Sequence, residues 1–113
     1  MDKPEASARI ALEDARKAPP QSGRLSSLLL THGSLELRFY APKRIDPQMP
    51  HSRDELYVVA SGRGTFMRNK ERVHFGPGDA LFVPAGAVHR FEDFSDDFAT
   101  WVIFYGPEGG EQA

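Results

Sequence analysis

At 113 residues the chain has room for one compact domain and not for two. Hydrophobic residues make up 40% and charged residues 27%, the balance of a folded globular chain, and a formal net charge of -2 leaves no basic excess to neutralise phosphates, so no nucleic-acid partner is expected. With no cysteine, disulfides, thiolate metal sites and cysteine nucleophiles are excluded.

The first segment, Met1 to Ala18, mixes charges of both signs and lacks the apolar core of a signal peptide. Leu28 to Leu30, the longest aliphatic cluster, is far too short to span a bilayer. A cytoplasmic address with no membrane partner is therefore expected. Glu5 to Lys17 has helix-favouring composition, and Ile10, Leu12 and Ala15 can form a thin apolar stripe. Pro19-Pro20 ends that helix, because proline cannot continue one and disfavours it in the residue before. Residues 1–22 thus read as a short helix or loose arm ahead of the main domain, which is taken as residues 23–106.

From Leu25 onward the texture changes. Residues 34–40, 56–60, 64–67, 72–75, 80–84, 88–91 and 98–105 are short stretches rich in Val, Phe, Leu, Ile, Thr and Tyr. Turn residues separate them: His32-Gly33, Asp46-Pro47, Ser61-Gly62, Asn69-Lys70, Pro77-Gly78, Ala85-Gly86 and Ser95-Asp96. Closely spaced strands of this kind predict an all-β sandwich or closed barrel. The tail, residues 107–113, is glycine-rich and polar and reads as loosely held.

Four histidines occur, and two have patterned surroundings. Alternate residues of a strand share a face, so His51, Arg53, Glu55, Tyr57 and Val59 are expected on one side. A strand carrying a histidine and a glutamate inward must satisfy both, and a cation pairs naturally with carboxylate and neutral imidazole. The second pattern is the hairpin of residues 76–91, in which Pro77-Gly78-Asp79 and Pro84-Ala85-Gly86 make turns and deliver His89 from a distant part of the chain.

On these residues the chain resembles the cupin superfamily. The family's first motif runs His-x-His, three or four residues, Glu, six residues, Gly; His51, Glu55 and Gly62 match it in count. The second runs Gly, five residues, Pro-x-Gly, two residues, His, three residues, Asn; Gly78, Pro84, Gly86 and His89 fall in register, with Asp93 where Asn is usual. Met49 occupies the place of the first histidine and Lys43 that of the opening glycine. Another register puts His51 first and Arg53 second, but arginine stays protonated and cannot bind a metal. Either register leaves His51, Glu55 and His89 as metal ligands. The resemblance, over residues 25–105, implies an antiparallel double-stranded β-helix, the jelly-roll barrel of small single-domain cupins. It also implies one divalent metal ion, of Fe, Mn, Ni or Zn.

Arg53 is a candidate for clamping a substrate carboxylate, against the plainer reading of an ion pair with Glu55, Asp54 or Glu92. Tyr57 is a candidate proton donor or orienting group, against packing in the barrel wall. His74 is a candidate fourth ligand, against the plainer reading of an ordinary wall or surface histidine, and His32, before Gly33 at a turn, has no role. The aromatics Phe91, Phe94, Phe98, Trp101, Phe104 and Tyr105 read as core plus a dimer surface or as an apolar pocket lining, and the acidic run of residues 92–97 as a solvated loop. Two functions compete. One is a metal-dependent dioxygenase, isomerase or lyase acting on a small polar or anionic substrate. The other is a non-catalytic small-molecule-binding or structural cupin with a degenerate site. A homodimer is expected, since a small barrel has open edges and a modest core.

Overall fold

The computed structural model describes residues 8–112. One short helix, α1 (Leu12–Lys17), precedes eight strands: β1 (Ser27–His32), β2 (Leu35–Tyr40), β3 (Asp54–Ser61), β4 (Gly64–Arg68), β5 (Glu71–Phe75), β6 (Ala80–Val83), β7 (His89–Glu92) and β8 (Ala99–Tyr105). All seven stretches read as strands from the sequence are strands within two residues of the expected ends. β1 was not foreseen. The helix is shorter than its composition suggested: Ala11 before it is already extended and supplies no capping side chain. Residues 5–7 of the expected helix lie outside the described residues. Glu13 and Asp14 in the first turn and Arg16 and Lys17 in the last suit the helix dipole.

The strands form two antiparallel sheets, one ordered β1-β2-β8-β3-β6 and the other β5-β4-β7. This is the double-stranded β-helix expected. Inward residues alternate along β3, where Glu55, Tyr57 and Val59 are buried. Tyr57 of β3 meets Phe66 of β4 and Phe91 of β7 edge-on, at centroid distances of 5.8 and 4.8 Å, so the sheets close on a shared aromatic core. Phe75, Phe98, Leu81 and Val83 belong to the same core.

A second, smaller cluster lies on the far side of the larger sheet. There Ala15 of α1 is buried against Phe39 and Ala99, with Leu12, Leu29, Ala60 and Trp101 around them. Arg16 donates to Ser61 Oγ at 3.1 Å. The arm is therefore docked on the barrel in the described residues. The tail is held too: Gly109 N–H donates to Ser52 O at 2.7 Å, and Glu111 N–H donates to Asp54 Oδ2 at 2.8 Å. No helix among the described residues is long and apolar enough to cross a membrane.

Candidate metal centre

β3 is an interior strand, and its second residue, Glu55, pairs with Phe104 on one side and Val83 on the other. Its carboxylate points into the barrel and is 1% exposed. His89 opens β7 in the other sheet, and alternation turns it inward with Phe91. Glu55 and His89 thus arrive from opposite sheets. His51 lies ahead of β3, where no strand ladder fixes it. Two bonds to the Pro84-Ala85-Gly86 turn do so instead. Gly86 N–H donates to His51 O at 2.8 Å, and Ala85 N–H donates to Asp54 Oδ1 at 2.9 Å. The turn of the second motif is thereby fastened to the start of the first.

His89 Nε2 lies 3.3 Å from Glu55 Oε1, and His51 Nε2 lies 3.9 Å from the same oxygen. Ligand atoms of the three residues all fall within 4.8 Å of one another. His89 Nδ1 sits 3.0 Å from Ala87 O; a carbonyl only accepts, so Nδ1 carries the proton and Nε2 faces Glu55. Both Glu55 oxygens and His89 Nε2 are shut off from solvent without a hydrogen bond; the 3.3 Å approach is close enough for an ion pair but lacks hydrogen-bond geometry. Buried orphans of this kind are costly, and a carboxylate facing an imidazole lone pair sets acceptor against acceptor. Only a proton or a cation between them resolves the clash. The residues fit a divalent cation: two imidazoles and a carboxylate, with spacings that one ion can bridge.

Burial lowers the pKa of His51, more than the Glu55 charge raises it, so the ring favours its neutral, ligand-ready form. For His89 burial also pulls downward, but Glu55, the Ala87 carbonyl and Asp46 together outweigh it and leave the pKa raised.

Sequence reading missed a group of polar residues behind His51. Asp46, a buried carboxylate, accepts from Tyr40 Oη, from Gln48 Nε2 at 2.7 Å and from Phe91 N–H at 2.8 Å. That commits the Gln48 amide, whose Oε1 accepts from Tyr57 Oη at 3.0 Å and lies 3.2 Å from His51 Nε2. Burial, with the Glu55 charge beside it, holds the Tyr57 hydroxyl far above its ordinary pKa, so it remains a donor. Residues 41–53 are loop, and no periodicity marks which loop side chains turn inward.

A cleft of about 230 Å³ reaches the site. His51, Glu55, Gln48, Tyr40, Val102 and Phe104 line its inner part, and Arg24, Leu25 and Met49 are also in its wall. Phe104 stands edge-on to His51 at 5.1 Å, so of the C-terminal aromatics it is the one that touches the site. Phe91 and Phe98 are core, and Trp101 packs on Phe39.

Arg53 is not brought to this cleft. β3 begins at Asp54, so the alternation expected to carry Arg53 inward does not extend back to it. Its guanidinium donates to Gly106 O at 3.1 Å and to Ser34 O, and lies 3.6 Å from Glu36 Oε1. Arg53 is thus ion-paired, as the plainer reading held, but with Glu36 and not with the Glu55, Asp54 or Glu92 that reading named. His74 is exposed beside Thr65, and His32 is exposed at the β1–β2 turn. In the acidic run, Glu92 is paired with Arg72 and Arg90 at 2.9 and 2.8 Å, which holds its pKa down at about 2.

Fold and site together define a small cupin barrel. The cupin domain family matches residues 37–105, and the chain belongs to that family. An uncharacterised protein of Streptomyces coelicolor, SCO3923, is 40% identical over 63 residues, which is 56% of this chain and 60% of that protein. A cupin-2 domain protein of Shewanella frigidimarina shares the fold with a TM-score of 0.66 at 13% identity, over 86% of this chain and 94% of that one. A chain from the structures of the DMSP lyases RdDddP and RnDddQII is 30% identical with a TM-score of 0.58, over 68% of this chain and 41% of that one.

Proposed function

We propose that this chain is a metal-dependent cupin enzyme, of the oxygenase or isomerase/lyase kind, acting on a small polar or anionic molecule. The observation that carries the reading is Glu55 and His89, buried face to face without a hydrogen bond, with Glu55 in the wall of the cleft. His51, Glu55 and His89 would hold Fe, Mn, Ni or Zn, and the ion would supply a Lewis acid to a substrate oxygen or a site for dioxygen.

The chain's own groups do the rest. The cleft volume of about 230 Å³ is below the roughly 300–1,000 Å³ of drug-sized pockets, so the substrate is a molecule of few heavy atoms. Arg24, half-exposed in the cleft wall and only 4.0 Å from Glu36 Oε2, is a cation that an entering anion would meet, whereas Arg53 lies outside the cleft. Val102 and Phe104 keep water from the inner wall. Tyr57, fully buried and donating its hydroxyl to Gln48 Oε1, orients that amide rather than meeting the substrate. The similarity to the DMSP lyase chain favours the lyase side. The same reading includes a homodimer and a cytoplasmic address.

Elemental analysis of the purified protein, beside His51→Ala and His89→Ala, tests the metal. Near-stoichiometric metal in the parent, lost in both variants, is expected. A parent that stays empty and refuses added Fe, Mn, Ni and Zn would leave a non-catalytic binding or structural cupin as the better reading.

A further inference from the structure

Gln48 sits one residue before Met49, the position from which the first motif would supply another histidine, and Met49 itself is 73% exposed. We propose that Gln48 Oε1 is a fourth ligand of the cation held by His51, Glu55 and His89, taking the place that Met49 leaves unfilled. The inference rests on the metal reading above.

Three observations carry it. First, the amide cannot turn around: its Nε2 donates to Asp46 Oδ2 at 2.7 Å, so the carbonyl oxygen is the atom presented to His51. Second, the remaining lone pair of Oε1 faces His51 Nε2, the nitrogen that would itself bind the ion. A carbonyl oxygen accepts twice, and Tyr57 Oη at 3.0 Å takes one position. Third, the spacing to His51 suits a shared ion. With metal–ligand bonds of about 2.1 Å, neighbouring ligand atoms of an octahedral ion stand roughly 3.0 Å apart and opposite ones roughly 4.2 Å. Gln48 Oε1 to His51 Nε2 is 3.2 Å, His89 Nε2 to Glu55 Oε1 is 3.3 Å, and His51 Nε2 to Glu55 Oε1 is 3.9 Å. A side-chain carbonyl is a proper ligand for the harder divalent ions, as the Met49 thioether is not.

The competing role for Gln48 is a plain hydrogen-bond acceptor for His51 Nε2–H, and the two roles predict opposite signs. A ligand oxygen strengthens metal binding. An oxygen that only occupies Nε2 competes with the metal and weakens it. The test measures Co²⁺ and Mn²⁺ affinity by chelator competition, and the visible spectrum of the Co²⁺ form, for the parent, Gln48→Leu and Gln48→Glu. Urea melts of the metal-free proteins report folding.

Gln48→Leu is expected to bind both ions roughly ten- to a hundredfold more weakly, with an altered Co²⁺ spectrum. Gln48→Glu, which keeps a ligand oxygen, is expected to retain binding with a shifted spectrum. Gln48→Leu binding as tightly as the parent or more tightly, with the parent spectrum, overturns the proposal. If Gln48→Leu does not fold, an unchanged Co²⁺ spectrum in Gln48→Glu overturns it instead. A parent that binds neither ion fells this proposal and the metal reading together, whereas a binding parent with an indifferent Gln48→Leu fells this one alone.

Discussion

Gly62, the residue that closes the first motif, has a φ of +83°, and a Cβ built there would lie 2.5 Å from the Phe98 Cα. Backbone on one side and a left-handed conformation on the other leave no side chain room, which is the physical content of the motif's glycine. Gly62→Ala is expected to destabilise the fold by about 3 kcal/mol, read from urea melts. A loss of only a few tenths would mean that the Phe98 backbone, just ahead of β8, yields freely. Asp93, in the motif position where Asn is usual, has a φ of +49°, a conformation that Asn and Asp tolerate better than most residues. Asp54 offers a test by pH. Backbone N–H groups of Glu111 and Ala85 hydrogen-bond its carboxylate and hold its pKa below the ordinary value of about 3.9. A depressed folded pKa contributes stability that is fully present above that ordinary value and fades as pH falls through the lowered one. Asp54→Asn should therefore be less stable than the parent at pH 6, with the gap closing toward pH 3; a gap independent of pH would rule out the carboxylate as its source. Glu55 and His89 were legible because strand alternation and turn chemistry turn them inward, and His51 because motif spacing marks it, although the Gly86 N–H rather than a strand ladder holds it in place. Asp46, Gln48, Tyr40 and Arg24 were not, because they meet across loops and between elements with no common period.

At the scale of elements, the misses have one cause each. β1 was overlooked because Ser26, Ser27 and three consecutive leucines show no alternation; it is an edge strand, with Ser27 buried and Leu28 36% exposed. Arg53 was placed inward by running a period of two past the end of its strand. The seven other strands stood out because each is bounded by turn residues and rich in aliphatic, β-branched or aromatic side chains. The arm matters more than its composition suggested, since α1 covers the outer face of β2 and β8 through Ala15, Phe39 and Trp101. Phe39 is 4% exposed and meets Trp101 edge-on at 5.3 Å. Phe39→Ala should cost about 3 kcal/mol and raise amide exchange in α1. If exchange in α1 stays at the parent's rate, the helix is held by Arg16 and the chain leading into β1 rather than by this cluster.

For the whole molecule, the two sheets leave β1, β6, β5 and β7 as edges, with Phe82 on β6 and Val73 on β5 exposed. Unpaired edges bearing apolar side chains invite a second copy. Sedimentation at micromolar concentration is expected to give the mass of two chains, and a monomer there would refute the dimer. The two buried members of the site stand on different sheets, Glu55 in β3 and His89 in β7. A cation shared between them is then a clasp across the barrel, adding roughly 2.7 kcal/mol of stability when its free concentration is a hundred times the dissociation constant. Chains that bind such a cation would, when emptied of it, open more often and meet proteases sooner, so that supply of the ion would set how many copies persist.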